Sequence, residues 1–234
     1  MKRVLSLIAT LALAACGGGG AQLALSGRAG STAAAAAAAS PTALTLSNGI
    51  TVDRVRVALR EVELEHASAT PDDLKDLQEF EAGPFVLDLS AASLSGTVQQ
   101  VTVKEVPAGT YREIKFKIHP PSTSDSTNAA VQAMATVQGG PASIIVEGQV
   151  DGSPYVFVSG LDAAQKYEGT FNLASGDQNM TLNVDPSTWF GGSGAARLDP
   201  RSGSNKSAIE NNIQNSMKLF EDDDHNGQDD STQH

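Results

Sequence analysis

The sequence predicts an all-β fold: an antiparallel β-sandwich with a short inserted helix and one C-terminal helix. Three observations predict it. Apolar and polar residues alternate through most of the middle of the chain, the two-residue period of strands with one buried face. The strong turn dipeptides Asn48-Gly49 and Asp151-Gly152 separate such runs. Almost no helical periodicity intervenes, as in sandwiches built of many short strands. Aromatic residues are only 5% of the 234, so the core is expected to be mainly Val, Ile and Leu.

The elements follow in order. Asn48-Gly49 joins "ALTLS" to a long strand, "ITVDRVRVALREVELEH". In that strand Val55, Val57 and Leu59 share one face and Arg54, Arg56 and Arg60 the other. The phase slips between Leu59 and Val62, which predicts a bulge or bend near Arg60-Glu61. Thr70-Pro71-Asp72-Asp73 has the form of a helix start, with Thr70 as cap and Pro71 in the first position. Leu74, Leu77 and Phe80 follow at helical spacing. "PFVLDLS" and "TVQQVTVKEV" read as strands. Pro107 to Thr110 is turn chemistry, and "YREIKFKI" places Ile114, Phe116 and Ile118 on one face. "SIIVEGQV" and "PYVFVSG" flank the Asp151-Gly152 turn, and "TFNLAS" and "MTLNVD" close the set. Buried positions are expected at Val57, Leu59, Leu87, Ile114, Phe116, Val184 and Ile213, with Trp189 plugging one end of the sandwich.

The C-terminal helix is predicted over 207–220. Ser207 and Glu210 form a capping box, and Ile209, Ile213, Met217 and Phe220 make one apolar stripe. Residues 191–206 before it are a Gly-rich connector and residues 221–234 after it an acidic tail, so the sandwich is assigned to 42–190.

The N-terminus carries targeting chemistry. Lys2 and Arg3 precede an apolar run from Val4 to Ala15, the length of a signal-peptide core and too short for a membrane span. Leu13-Ala14-Ala15-Cys16 resembles the bacterial lipobox, in which the Cys thiol carries a diacylglycerol and the chain is cut just before it. Cys16 is the one cysteine in the sequence, so no internal disulfide can form. Residues 1–15 are therefore expected to be removed and Cys16 lipidated. Several acyl chains, palmitate among the usual ones, would then hold the protein on a membrane almost permanently. Gly17, where an Asp favours inner-membrane retention, points to the outer membrane. Residues 16–41, the lipidated Cys and a segment mostly of Gly, Ala and Ser with little to bury, are expected to be a flexible tether.

The run from Gly49 through "GPFVLDLS", "VPAGTYREIKFKI" and "VEGQVDGSPYVFVS" to "MTLNVDPSTWF" resembles bacterial lipoproteins that carry a domain of unknown function. The resemblance spans about residues 43–190. It implies a lipid anchor and a sandwich of immunoglobulin or transthyretin type. It implies no activity and no functional residues.

Charge and motifs narrow the function. Loss of residues 1–15 takes 16 basic residues to 14 and leaves 27 acidic, a net charge of −13. Such a surface argues against nucleic acid and anionic lipid head groups. No metalloprotease, phosphate-loop or nucleophile-elbow motif occurs. His66 and His119 fall near strand ends without a nearby second ligand at a usual spacing. Asp72, Asp73, Asp76, Glu79 and Glu81 are explained by helix capping and a solvated face. No catalytic residue and no cofactor is assigned. The expected function is a non-enzymatic binding or structural module of the cell envelope, its partner an envelope protein or a glycan. The alternative is a hydrolase-like envelope enzyme with a site built from loops.

One segment suits a metal. "DDDHNGQDD" places Asp222, Asp224, Asn226 and Gly227 at positions 1, 3, 5 and 6 of an EF-hand calcium loop. Gln228 would offer its carbonyl and Asp230 the ninth position. Position 12 is Gln233, which lacks the usual bidentate carboxylate, so the expectation is weak calcium binding closing the end of a helix. The competing reading is a solvated acidic tail.

Overall fold

The computed structural model describes residues 21–30, 43–67, 83–90, 93–173, 177–192 and 196–230. The signal segment 1–15, Cys16, the acidic helix expected at 70–81 and Gln233 lie outside them, as do the side chains of His66, Ser95, Phe171 and Asp177. Among the described residues, eleven strands and two α-helices follow in chain order. They are β1 (Ala21–Ala29), β2 (Leu44–Thr45), β3 (Ile50–His66), β4 (Phe85–Ser90), β5 (Gln99–Val106) and β6 (Gly109–Ile118). After α1 (Ala129–Ala135) come β7 (Ile144–Val150), β8 (Ser153–Ser159), β9 (Ala163–Leu173) and β10 (Asp177–Val184), then α2 (Lys206–Ser216) and β11 (Lys218–Glu221). They form two sheets, so the predicted all-β sandwich is what the chain adopts.

The larger sheet is built around β3. Its order is β8-β7-β3-β6-β9, and β2 and β4 also pair with β3. β3 changes partners along its length, from β7 over Ile50–Val57 to β6 over Leu59–His66. The register shifts between Leu59 and Glu61, so the predicted bulge falls where the alternation slips. Asn48-Gly49 closes the β2–β3 hairpin, with Gly49 at φ +80°. Asp151 and Gly152 both take positive φ, 50° and 79°, the two-residue turn whose twist matches its strands. On the solvent face Arg54 pairs with Asp88, Arg56 with Glu147 and Lys115 with Glu63, so the charges that alternate with the core residues neutralise one another across strands.

The smaller sheet has the order β11-β10-β1-β5. β1 pairs parallel with β10 and antiparallel with β5, so both of its edges are satisfied. Over residues 21–30 a strand stands where part of the tether was expected at 16–41. Leu23 and Leu25 are each 1% exposed and belong to the core between the sheets. Gly27 lies so close to the opposite sheet that a Cβ there would stand 2.3 Å from a Leu87 methyl carbon. The two residues Pro107 and Ala108 carry the chain from β5 in one sheet to β6 in the other. Tyr111 anchors that corner by donating its hydroxyl to the Pro107 carbonyl at 2.7 Å.

All seven expected core positions are buried, each at most 2% exposed. Trp189 is fully buried in the same cluster and donates Nε1–H to the Ser216 hydroxyl at 2.6 Å. The C-terminal helix needs correction. α2 ends at Ser216, and Met217 is already extended at ψ 135°. Ile209 and Ile213 are buried from the helix, whereas Phe220 is buried from β11, which adds to the edge of β10. The capping box does not form either. Asn205 precedes the helix without a side-chain cap, and Glu210 instead accepts from the Ser159 hydroxyl at 2.7 Å. α1 was not expected. Asn128 caps it by accepting from the Ala130 and Val131 amides at 2.8 and 3.4 Å, and Met134 packs with Ala58 and Ile145.

One glycine reports on the sheet register. A Cβ on Gly148 would lie 1.9 Å from the Thr51 carbonyl oxygen and 3.0 Å from the Tyr155 ring, with no flexible group to give way. Gly148→Ala is expected to cost roughly 1–3 kcal/mol in a denaturant titration, as overpacking does. Gly203→Ala, where a Cβ meets nothing within 4 Å, should stay within about 0.5 kcal/mol of the parent.

Candidate functional site

The outer face of the smaller sheet is polar. Ser26 and Arg28 on β1, and Asn179, Thr181 and Asn183 on β10, point away from the core, yet each is at most 3% exposed. The register sets Ser26 beside Thr181 and Arg28 beside Asn183. Buried polar groups must be hydrogen-bonded, and here the C-terminal acidic segment supplies partners. The Asn179 side chain accepts from the Ser26 hydroxyl at 2.7 Å and donates to the Asp222 carbonyl at 2.8 Å. Thr181 donates its hydroxyl to Asp222 Oδ2 at 2.8 Å. The residues read as an acidic tail thus begin as a loop folded against this face.

The loop closes on itself. Asp222 Oδ1 accepts the Gly227 amide at 3.0 Å, Asp224 Oδ1 the Asn226 amide at 3.0 Å, and Asn226 Oδ1 the Gln228 amide at 2.7 Å. Asp230 turns back: its Oδ2 accepts the Asp223 amide at 2.9 Å, and its own amide donates to the Glu221 carbonyl at 2.9 Å. Gly227, the sixth position, has φ +79°, and a Cβ there would meet the Arg28 guanidinium at 2.8 Å. Both conditions select glycine. Arg28 also donates to the Gly227 carbonyl.

These turns bring Asp222, Asp224 and Asp230 together, with one carboxylate oxygen from each within 4.8 Å of the others. Asp222 and Asp230 are buried, while Asp224, Asn226 and Gln228 face solvent. Burial holds the Asp222 carboxyl above the ordinary carboxylate range; the Gly227 amide and Thr181 hydroxyl pull it back down, and the charges of Asp224 and Asp230 raise it again. Burial lowers the Arg28 pKa, and the Asp222 charge opposes that. The donor set is oxygen throughout, which suits a hard cation such as calcium. One expectation is corrected: a strand, β11, enters the loop rather than a helix, because its backbone pairs with β10 from Lys218 to Glu221.

His66 and His119 do not converge. His66 pairs with Tyr111 near the start of β6, and His119 follows its end, about 25 Å along the strand. His119 instead sits 3.1 Å from Asp162. What sequence reasoning missed is the support: Ser26, Arg28, Asn179 and Thr181. Alternating polar residues such as Asn179, Thr181 and Asn183 read as a solvated face, and nothing local says that a loop covers them.

Comparison with known proteins places most of the chain. No curated protein matches the sequence. Among solved structures, MbnP from Methylosinus trichosporium is similar at 12% identity and a TM-score of 0.47, covering 86% of this chain and 98% of that one. A family described as a domain of unknown function, DUF4382, matches residues 44–200, a span that includes every strand of the larger sheet and stops before the acidic loop. Because that match takes in well over half of the sequence, the chain belongs to the DUF4382 family.

Proposed function

We propose that this protein is a lipid-anchored component of the cell envelope, at the outer membrane, whose sandwich is a non-enzymatic binding or structural module pinned at its C-terminal end by calcium. The observation that carries the calcium reading is the meeting of Asp222, Asp224 and Asp230 within 4.8 Å in a loop already closed by its own backbone. Such crowding of carboxylates is unfavourable without a cation. Asp222, Asp224, Asn226, the Gln228 carbonyl and Asp230 would hold the ion. The anchor reading rests on the lipobox ending at Cys16.

Calorimetry tests the calcium reading. The full chain should bind one calcium ion with a dissociation constant on the order of 10⁻⁴–10⁻³ M, the weak end expected without a bidentate ligand at position 12. Asp224→Ala, at an exposed position, should weaken binding, and Asp222→Ala with Asp224→Ala should abolish it. No heat at millimolar calcium, or equal binding by the double variant, would leave only an acidic segment. For the anchor, mass spectrometry of the membrane fraction should find an acylated N-terminus at Cys16, and Cys16→Ala should release the protein.

A further inference from the structure

A second site lies at the other end of β11. A pocket of about 350 Å³ opens between the end of β10, the turn that follows it and the C-terminal half of α2. This is large enough for a small organic ligand. Asn183 lines it, is 1% exposed, and has an Oδ1 with no hydrogen-bond partner. An unsatisfied buried amide oxygen is costly. That oxygen has almost no exposed surface, so Asn183 shapes the pocket rather than offering its oxygen to a ligand.

The rest of the lining is polar and underused. Asn212 spends its amide hydrogens on the Trp189 and Gly191 carbonyls, at 3.0 and 2.9 Å, which leaves its Oδ1 as an acceptor. Asp185 uses Oδ1 for the Ser187 amide at 3.1 Å and hydroxyl at 2.5 Å, and Oδ2 makes no hydrogen bond among the described residues. Thr188 donates to the Asp185 carbonyl at 3.1 Å and keeps its lone pairs. Asn215 and Lys218 are exposed at the rim, with no side-chain hydrogen bond or ion pair among the described residues. The site thus offers acceptors at Asp185, Thr188 and Asn212, and donors at Asn215 and Lys218.

That chemistry selects the ligand class. The one indole, Trp189, is sealed in the core, so no aromatic wall invites an apolar ligand. Asp185 opposes an anion and Lys218 a cation, and the two charges balance. A neutral ring whose hydroxyls each donate and accept matches the acceptors at Asp185, Thr188 and Asn212 and the donors at Asn215 and Lys218. We propose that this pocket binds a saccharide. The proposal goes beyond the calcium reading, since no residue is shared between pocket and loop.

Saturation-transfer NMR on the full chain with D-glucose, D-galactose, D-mannose and N-acetylglucosamine tests it, with glycine as a zwitterionic control. At least one sugar should show transfer and glycine none. Asn215→Ala with Lys218→Ala, both at the rim, should weaken sugar binding about tenfold or more while the melting temperature and calcium binding stay unchanged. Asn183→Ala should weaken it too, with folding checked by circular dichroism. No transfer from any of the four sugars, transfer from glycine alone, or undiminished binding by the rim variant overturns the proposal.

Discussion

A chain that begins after residue 30 is expected to lose its cooperative fold. β1 is the inner strand that joins β5 to β10 in the smaller sheet. Without it β5 has no partner in that sheet, and β10 keeps only the four-residue β11. Leu23 and Leu25 leave the core, at about 1.5–3 kcal/mol each for a fully buried side chain. Arg28 and Ser26 leave the polar face that holds the acidic loop. Those losses together approach the whole stability of an ordinary domain, roughly 5–15 kcal/mol. Circular dichroism and a denaturant titration of the truncated chain check this. A midpoint equal to that of the full chain would restore the tether reading.

The second large effect is expected at Phe116, near the end of β6. Its ring is 1% exposed and lies opposite Val62 in the register. In a chain so poor in aromatic residues, each buried ring fills a large share of the space between sheets. Phe116→Ala should cost roughly 3–5 kcal/mol by loss of buried surface and the cavity left behind. Guanidinium unfolding gives the number. A loss below about 1 kcal/mol would mean that the ring is not in the core.

What the sequence shows and hides follows from how locally each element is specified. The larger sheet was legible because its strands bury one face, so alternation marks Val55, Val57 and Leu59 as core and the arginines between them as surface. The hairpins at Asn48-Gly49 and Asp151-Gly152 were legible because their positive φ angles demand those residues. β1 was hidden because eight of its nine residues are buried, on both faces, and it is flanked by Gly and Ala runs of linker composition. The end of α2 was hidden because Ile209, Ile213, Met217 and Phe220 satisfy helical spacing, and only the open edge of β10 decides for a strand. The acidic loop was legible as a ligand pattern. Its seat was not, since Asn179 and Thr181 lie more than 40 positions earlier and meet it only through sheet pairing.

β11 links the two proposed sites. Lys218 at its start lines the pocket, and Glu221 at its end leads into Asp222. On β10 the same face carries Asn179 and Thr181 under the loop and Asn183 at the pocket. An ion that fixes Asp222 therefore stabilises the edge pair that shapes the pocket, a consequence of shared strands that needs no conformational change.

Amide hydrogen exchange with and without millimolar calcium tests the central claim most directly, because it reads the loop and the strands beneath it at once. Binding to the folded state alone must slow opening of the segment that holds the ion. The expected result is slower exchange over residues 218–230 and at Asn179 to Asn183, with the β7–β8 hairpin unchanged. Identical exchange in both conditions across 218–230 would contradict calcium closing Asp222, Asp224 and Asp230 around itself.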